Sequence, residues 1–312
     1  MNGRPLFIVG SGRCGTSMLL RIINRFTSIA IPSESHFIPV FKQKLHQYGD
    51  LKKKKNILKL IKDIGKFPYV RDWDMEFKAE VIAEKVKQYS YAGILNAIYF
   101  EYAQQHGKSR WGDKTPWYLR CMSELAELFP NAQFIHIIRD GRDCALSVIE
   151  CTWGPKNIYK ASLWWKEALE NGFREIEKLK KKFSDISNIY LEVRYEEILE
   201  DPKIQLKKIF EFIGERFNEQ IISEFHIKRD NKEMWKSQMS LKQRKLFERV
   251  AGDVLKKLEY PTEFENLKAI SHTEKIMYLI DNRIKSVKNI WWDLKRKWYG
   301  TMVPEKRNKR NV

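Results

Sequence analysis

The chain is most constrained by one stretch near its start, Pro5-Leu-Phe-Ile-Val-Gly10-Ser-Gly-Arg-Cys-Gly15-Thr-Ser-Met-Leu-Leu20. The apolar run from Leu6 to Val9 reads as a strand, a glycine-rich turn follows, and helix formers begin at Met18. Strand, loop and helix in that order gather loop N–H groups and a helix N-terminus around one point, which makes an anion site. The spacing Gly10-x-x-x-x-Gly15-Thr16-Ser17 is that of a Walker A loop with Thr16 where the lysine belongs. The cation of this loop is Arg13, on the opposite side of Gly15. The expectation is a cradle for a phosphate-like group without ordinary triphosphate chemistry. Three glycines, two hydroxyls and an arginine exceed what a plain strand-to-helix turn needs.

Further strands follow at intervals. Ser28-Ile-Ala-Ile-Pro32 reads as a short one, and Ser33-Glu34-Ser35-His36 lies just beyond it. Glu34 is placed there for acid–base work; the competing reading is a helix start, with Ser33 as cap and Glu34 in the first turn. Residues 42–88 are lysine-rich and helical in pattern, broken at Gly65-Lys-Phe-Pro68, and read as an insertion shaping the acceptor side. Ser90 to Gln105 reads as an amphipathic helix. In Arg110-Trp-Gly-Asp-Lys114-Thr-Pro-Trp117, Trp111 ends a short strand and Pro116 opens a helix running to Phe129. Lys114, at that junction, either meets an anion or is an exposed loop lysine.

Gln133-Phe-Ile-His-Ile-Ile138 is a near-continuous apolar run of the kind parallel sheets prefer, with His136 as a core histidine. It ends in Arg139-Asp-Gly-Arg142-Asp, and a helix from Cys144 to Cys151 carries Ser147, eight residues beyond Arg139. Arg139 thus stands at the carboxyl end of its strand, where open α/β sheets bind ligands. A helix from Tyr159 to Lys182, with Trp164 and Trp165 in the core, leads to a strand from Asn188 to Val193 and then Tyr195. Strands alternating with helices predict an α/β, P-loop-like three-layer fold: a central parallel sheet flanked by helices, with additional C-terminal helices. Residues 1–270 form the α/β domain in this reading, and 271–312 a basic, aromatic helical extension.

Composition narrows the partners. Apolar residues make up 43% of the 312, which supplies a sizeable core and argues against wholesale disorder. A formal net charge of +18 calls for a polyanionic partner, although runs such as Lys52 to Lys55 read as solvated helix faces. Cys14, Cys121, Cys144 and Cys151 show neither disulfide nor zinc spacing, so reduced thiols in a cytoplasmic protein are expected. No apolar run approaches a membrane span of roughly 18 residues, and the first strand begins too early for a targeting segment. From Ile284 to Arg310, Trp291, Trp292, Trp298 and Tyr299 alternate with Lys and Arg. That helix either lies on an anionic membrane surface or docks its aromatics on the core.

With the loop, Glu34, Arg139, Ser147 and Tyr195 together, the chain resembles the sulfotransferases that use 3′-phosphoadenosine 5′-phosphosulfate (PAPS). The resemblance covers residues 5–34 and 110–260. Gly12-Arg13-Cys14-Gly15-Thr16-Ser17 looks like that family's 5′-phosphosulfate loop, with Cys14 where most members have serine. Arg139 and Ser147 are similar to its 3′-phosphate motif, and Val193-Arg194-Tyr195-Glu196-Glu197 to a segment whose tyrosine lies near the adenine. Glu34 matches the catalytic glutamate of the carbohydrate- and tyrosine-directed branches, and Asp113-Lys114-Thr115-Pro116 a motif common in them. The cofactor-closing Arg-Lys-Gly triplet is missing, with Lys228, Lys232 or Lys236 as substitutes. The resemblance implies PAPS as donor, adenosine 3′,5′-bisphosphate (PAP) as product, no metal, no specific nucleic acid, and a hydroxyl acceptor on a glycan or glycolipid. In that reading Glu34 is the base, Arg13 neutralises the leaving group and Lys114 steadies the sulfuryl oxygens. Alternatives are a tyrosyl-protein sulfotransferase, a P-loop kinase using Asp140, and a non-catalytic polyanion- or membrane-binding module.

Overall fold

The computed structural model describes residues 4–224 and 232–300, from 288 onward as backbone. In chain order the strands are β1 (Leu6–Gly10), β2 (Ile29–Ala30), β3 (Arg110–Lys114), β4 (Gln133–Ile138) and β5 (Tyr190–Arg194). The helices before β4 are α1 (Thr16–Phe26), α2 (Phe37–Gln43), α3 (Lys54–Gly65), α4 (Pro68–Arg71), α5 (Ala79–Glu84), α6 (Tyr91–Gln105) and α7 (Met122–Leu128). After it come α8 (Gly141–Ile149), α9 (Ile158–Lys182), α10 (Tyr195–Glu200), α11 (Pro202–Ile213), α12 (Gln220–Glu224), α13 (Trp235–Gln238), α14 (Leu241–Lys257) and α15 (His272–Gly300). The chain divides into two compact units, Met1–Arg139 with Glu167–Lys232, and Asp140–Lys166 with Glu233–Val312.

The first unit holds the sheet, ordered β2-β3-β1-β4-β5 with every pairing parallel. β1 and β4 are buried at every position, as expected of strands covered on both faces. Phe7 of β1 stacks on Phe134 of β4 at 5.4 Å between centroids and meets Trp111 of β3 edge-on at 5.9 Å. Trp111 in turn stacks on Tyr99 of α6 at 4.5 Å. His136 is fully buried with Nδ1 2.7 Å from the Tyr190 hydroxyl, as a core histidine should be.

Several local expectations change. The second strand stops at Ala30 because Asn24 takes both backbone groups of Ile31, with N–H and carbonyl each 2.8 Å from its amide. No helix starts at Ser33: α2 begins at Phe37 with His36 as its N-cap, which leaves Glu34 in an extended loop. The stretch from Pro116 is a 3-10 turn, Pro116–Arg120, separated from α7 by non-helical Cys121. Helix α6 is only weakly amphipathic: Tyr91, Leu95, Ile98, Tyr99 and Tyr102 are buried along one face, while the opposite face sets apolar Phe100 beside Asn96 and Gln104. Of the two tryptophans in α9, only Trp165 is core, while Trp164 is half-buried.

The second unit is organised around Arg142, which is wholly buried. Its guanidinium lies 2.7 Å from Asp140 and 3.2 Å from Glu248, with its face 3.5 Å from the Trp235 ring centroid. A buried arginine needs this double neutralisation to offset its desolvation. Asp143 beside it accepts the Trp235 backbone N–H at 2.9 Å. Trp165 packs so closely on Gly141 that a Cβ there would sit 2.3 Å from the indole.

Candidate active site

Each of the five strands delivers one candidate residue at its carboxyl end. β1 runs into the Gly10–Ser17 loop, β2 into Glu34, β3 ends on Lys114, β4 leads to Arg139 and β5 to Tyr195. The registers align these ends, with Ile8 opposite Lys114 and Gly10 opposite Ile137. Ligands of open parallel sheets bind along this rim.

The loop turns through left-handed backbone at Gly12 (φ 81°), Arg13 (φ 55°) and Gly15 (φ 99°). Gly15 caps α1 without a side-chain hydrogen bond, so the positive end of that helix adjoins the loop with no side-chain cap. A Cβ on Gly15 would lie 2.4 Å from the Tyr195 ring, and one on Gly10 would lie 2.4 Å from Cys14 Sγ. Cys14 is therefore turned beneath the loop, fully buried, and desolvation pushes its thiol up. Arg13 is exposed and Thr16 buried, with Ser17 exposed at the first turn. The Tyr195 ring also carries the Arg139 guanidinium, 4.5 Å from its centroid, and Arg139 Nη1 donates to the Arg13 carbonyl at 3.3 Å. Loop, Tyr195 and Arg139 thus form one packed group.

Glu34 and Lys114 form the second group. Lys114 Nζ lies 2.8 Å from Glu34 Oε1, and His36 Nε2 lies 2.9 Å from Oε2. Desolvation works to raise Glu34, but the His36 hydrogen bond and the charge and hydrogen bond of Lys114 prevail and hold it below the usual carboxylate range. His36 adopts φ 55° and packs on exposed Tyr69 at 4.4 Å between centroids, the rings tilted by 44°. Below the rim, Asp113 is wholly buried and accepts the Tyr99 hydroxyl at 2.6 Å; burial pushes its carboxyl up. Ser35 is tied to Thr115 by its N–H at 2.9 Å and to the Tyr118 hydroxyl at 2.7 Å, which fixes the loop that presents Glu34. Sequence reasoning assigned no role to His36 or Tyr69. His36 stood two residues from Glu34 without a motif, and Tyr69 lies in the lysine-rich insertion where no pattern pointed to the site.

A sequence profile described as the sulfotransferase family matches residues 5–219. The chain belongs to the sulfotransferase family. Among curated sulfotransferases, the protein-tyrosine sulfotransferase of Drosophila melanogaster is 24% identical over 220 residues, which is 70% of this chain and 39% of that protein. Protein-tyrosine sulfotransferase A of Caenorhabditis elegans is 22% identical over 224 residues, 70% of this chain and 51% of its own length. The chain thus spans between two fifths and about half of these relatives. Two solved sulfotransferase domains share the fold at a TM-score of 0.51 each. That of the Synechococcus PCC 7002 olefin synthase is 20% identical and covers 84% of this chain and 97% of its own. That of the curacin biosynthetic pathway is 16% identical and covers 84% and 99%.

Membership in the sulfotransferase family removes the kinase reading, and Asp140 agrees with that. Its carboxylate caps α8 and accepts from Arg142 N at 2.9 Å, Nε at 3.0 Å and Nη2 at 2.7 Å, so it is built into a structural ion pair rather than held for magnesium. Ser147 sits on α8 in the second unit, half-buried. Of the lysines considered for the missing sulfotransferase triplet, Lys232 pairs with Glu200 and Lys236 with Glu233, and Lys228 lies outside the described residues. All four cysteines are free thiols.

Proposed function

We propose that this chain transfers a sulfuryl group from PAPS to an acceptor hydroxyl carried by a glycan or glycolipid. The observation that carries the reading is the 2.8 Å Glu34–Lys114 pair on the same strand rim as a P-loop whose lysine is replaced by Thr16. The residues fit the donor: an uncapped helix start and exposed Arg13 suit the 5′-phosphosulfate, and Arg139 suits the 3′-phosphate.

PAPS, when bound, supplies the sulfuryl group. Gly12, Cys14 and Gly15 would hold its phosphosulfate through backbone N–H groups, and Thr16 and Ser17 through N–H and hydroxyl. Arg13 would neutralise charge on the departing phosphate oxygen. Glu34 takes the proton of the acceptor hydroxyl as its oxygen bonds to sulfur and PAP leaves, a base role worth roughly 10²–10⁴-fold. Each Glu34 oxygen accepts one hydrogen bond at rest and keeps a lone pair for the acceptor hydroxyl. Lys114 would also serve the sulfuryl oxygens. The lowered Glu34 pKa keeps the base ionised at neutral pH and leaves positioning to supply most of the rate.

Exposed aromatic side chains at Tyr69, which packs at a tilt on His36, and at Trp117, three residues past Lys114, favour an acceptor with a ring surface. A sugar ring meets that description, and a basic chain of net charge +18 favours an acidic glycan. A tyrosyl acceptor is the second reading, favoured by the named activity of the curated relatives. Offering labelled PAPS to glycan, glycolipid and tyrosyl-peptide panels decides between them. Glu34→Gln should bind PAP like the parent and lose at least a hundredfold in turnover; turnover within a few fold of the parent removes Glu34 from the role.

A further inference from the structure

Helix α15 (His272–Gly300) is held along one face. Tyr278 stacks on Tyr159 at 5.1 Å between centroids, Asn157 donates to the Tyr278 carbonyl and the Asp281 carboxylate at 2.8 Å each, and Lys156 N–H donates to Asn282 at 2.7 Å. The opposite face carries Met277, Ile280, Ile284 and Val287, between 51% and 68% exposed, with Ile276 alongside at 57%. Single exposed apolar residues are ordinary, but a row at three- and four-residue spacing along a helix marks a contact surface. In the sequence the same spacing continues through Trp291, Leu294 and Trp298.

Two occupants suit such a row, a second copy of this chain or a lipid surface. The flanking charges decide. In the heptad defined by Met277, Ile280, Ile284 and Val287, the adjoining positions carry Arg283, Lys288, Lys295 and Lys297 in the sequence. Their one acid, Asp281, is already bonded to Asn157 and, at 2.9 Å, to Lys285. Two copies would set like charges against one another along the whole seam, whereas an anionic surface satisfies them. We infer that α15 lies in the plane of an anionic membrane, with Met277, Ile280, Ile284 and Val287 in its apolar layer and Arg283 at the headgroups. No helix among the described residues is long and apolar enough to cross a membrane.

The test uses the full chain with vesicles of phosphatidylcholine alone or mixed with phosphatidylglycerol, so it does not depend on the acceptor or on turnover. Co-sedimentation is expected with the mixed vesicles only and to fall with added salt. Ile280→Glu with Ile284→Glu should weaken it at least about tenfold while the melting temperature stays unchanged, since both side chains are exposed. Arg283→Glu, which keeps the apolar row intact, should also weaken it. Equal binding to both vesicle types, or unchanged binding by the variants, overturns the inference. Failure of the parent to bind the mixed vesicles also overturns it, and a dimer dissolved by the same substitutions then names a second copy as the occupant.

Discussion

Replacing Gly15 by alanine puts the packed donor loop under a defined load. The φ of 99° at this position costs an L-residue about 1–2 kcal/mol. The new Cβ would also stand 2.4 Å from Tyr195 Cδ2 and 2.6 Å from Cε2, and overpacking of this kind costs about 1–3 kcal/mol. The loop or the ring must move, and because the ring supports Arg139 at 4.5 Å, both phosphate-binding groups shift with it. A total of about 2–5 kcal/mol, if spent on the donor site, weakens PAP binding by roughly 30-fold to a few thousandfold. Calorimetric titration with PAP measures this, alongside urea unfolding to separate affinity from stability. The double variant Gly15→Ala/Tyr195→Ala removes the collision but not the backbone cost, so it should be less impaired than the sum of its single variants. A Gly15→Ala protein that binds PAP within about threefold of the parent and unfolds like it would refute the account.

Other consequences are as specific. Lys114→Ala removes a charge that lowers the Glu34 pKa, so the acid limb of the pH–rate profile should move to higher pH; an unmoved limb separates Lys114 from the base. His36→Gln should move the same limb in the same direction, because His36 is the other group holding Glu34 down. Arg139→Ala should weaken PAP far more than 5′-AMP, which lacks the 3′-phosphate, and equal losses for both contradict its assignment. Burial lowers His136 from its ordinary 6.5 to about 3. The unfolded chain therefore takes up a proton below pH 6.5 that the folded chain refuses, and this residue removes up to about 1.4 kcal/mol of stability per pH unit down to about 3. His136→Leu should flatten that part of the stability curve, and an unchanged slope counts against the burial argument.

The sheet and the donor loop were legible because their signals are local. An apolar run flanked by turn residues marks β1 and β4, and glycine spacing with displaced Arg13 marks the loop. What escaped depends on partners distant in sequence. Asn24 ends β2 by bonding Ile31, and nothing in either residue type announces that. Ser33 looked like a helix cap because cap residues and turn residues are the same types. His36 at φ 55° is an uncommon backbone choice that sequence patterns do not forecast. The outer face of α6 carries Phe100 beside Asn96 and Gln104, so the expected wet face is only partly polar.

Glu34, the proposed base, hangs on the shortest strand of the sheet. Only Ile29 and Ala30 pair with β3, at the sheet's edge, and the Asn24 clamp on Ile31 is the next hold before Glu34. The free energy of a local opening grows with the hydrogen bonds it breaks and the apolar surface it wets, so this two-residue edge strand should yield before β1 and β4, which pair with each other over five residues. Heating would then uncouple the two halves of the reaction. The chain would keep its grip on the donor at temperatures where it no longer holds a base against the acceptor, and its working ceiling would lie below its melting point.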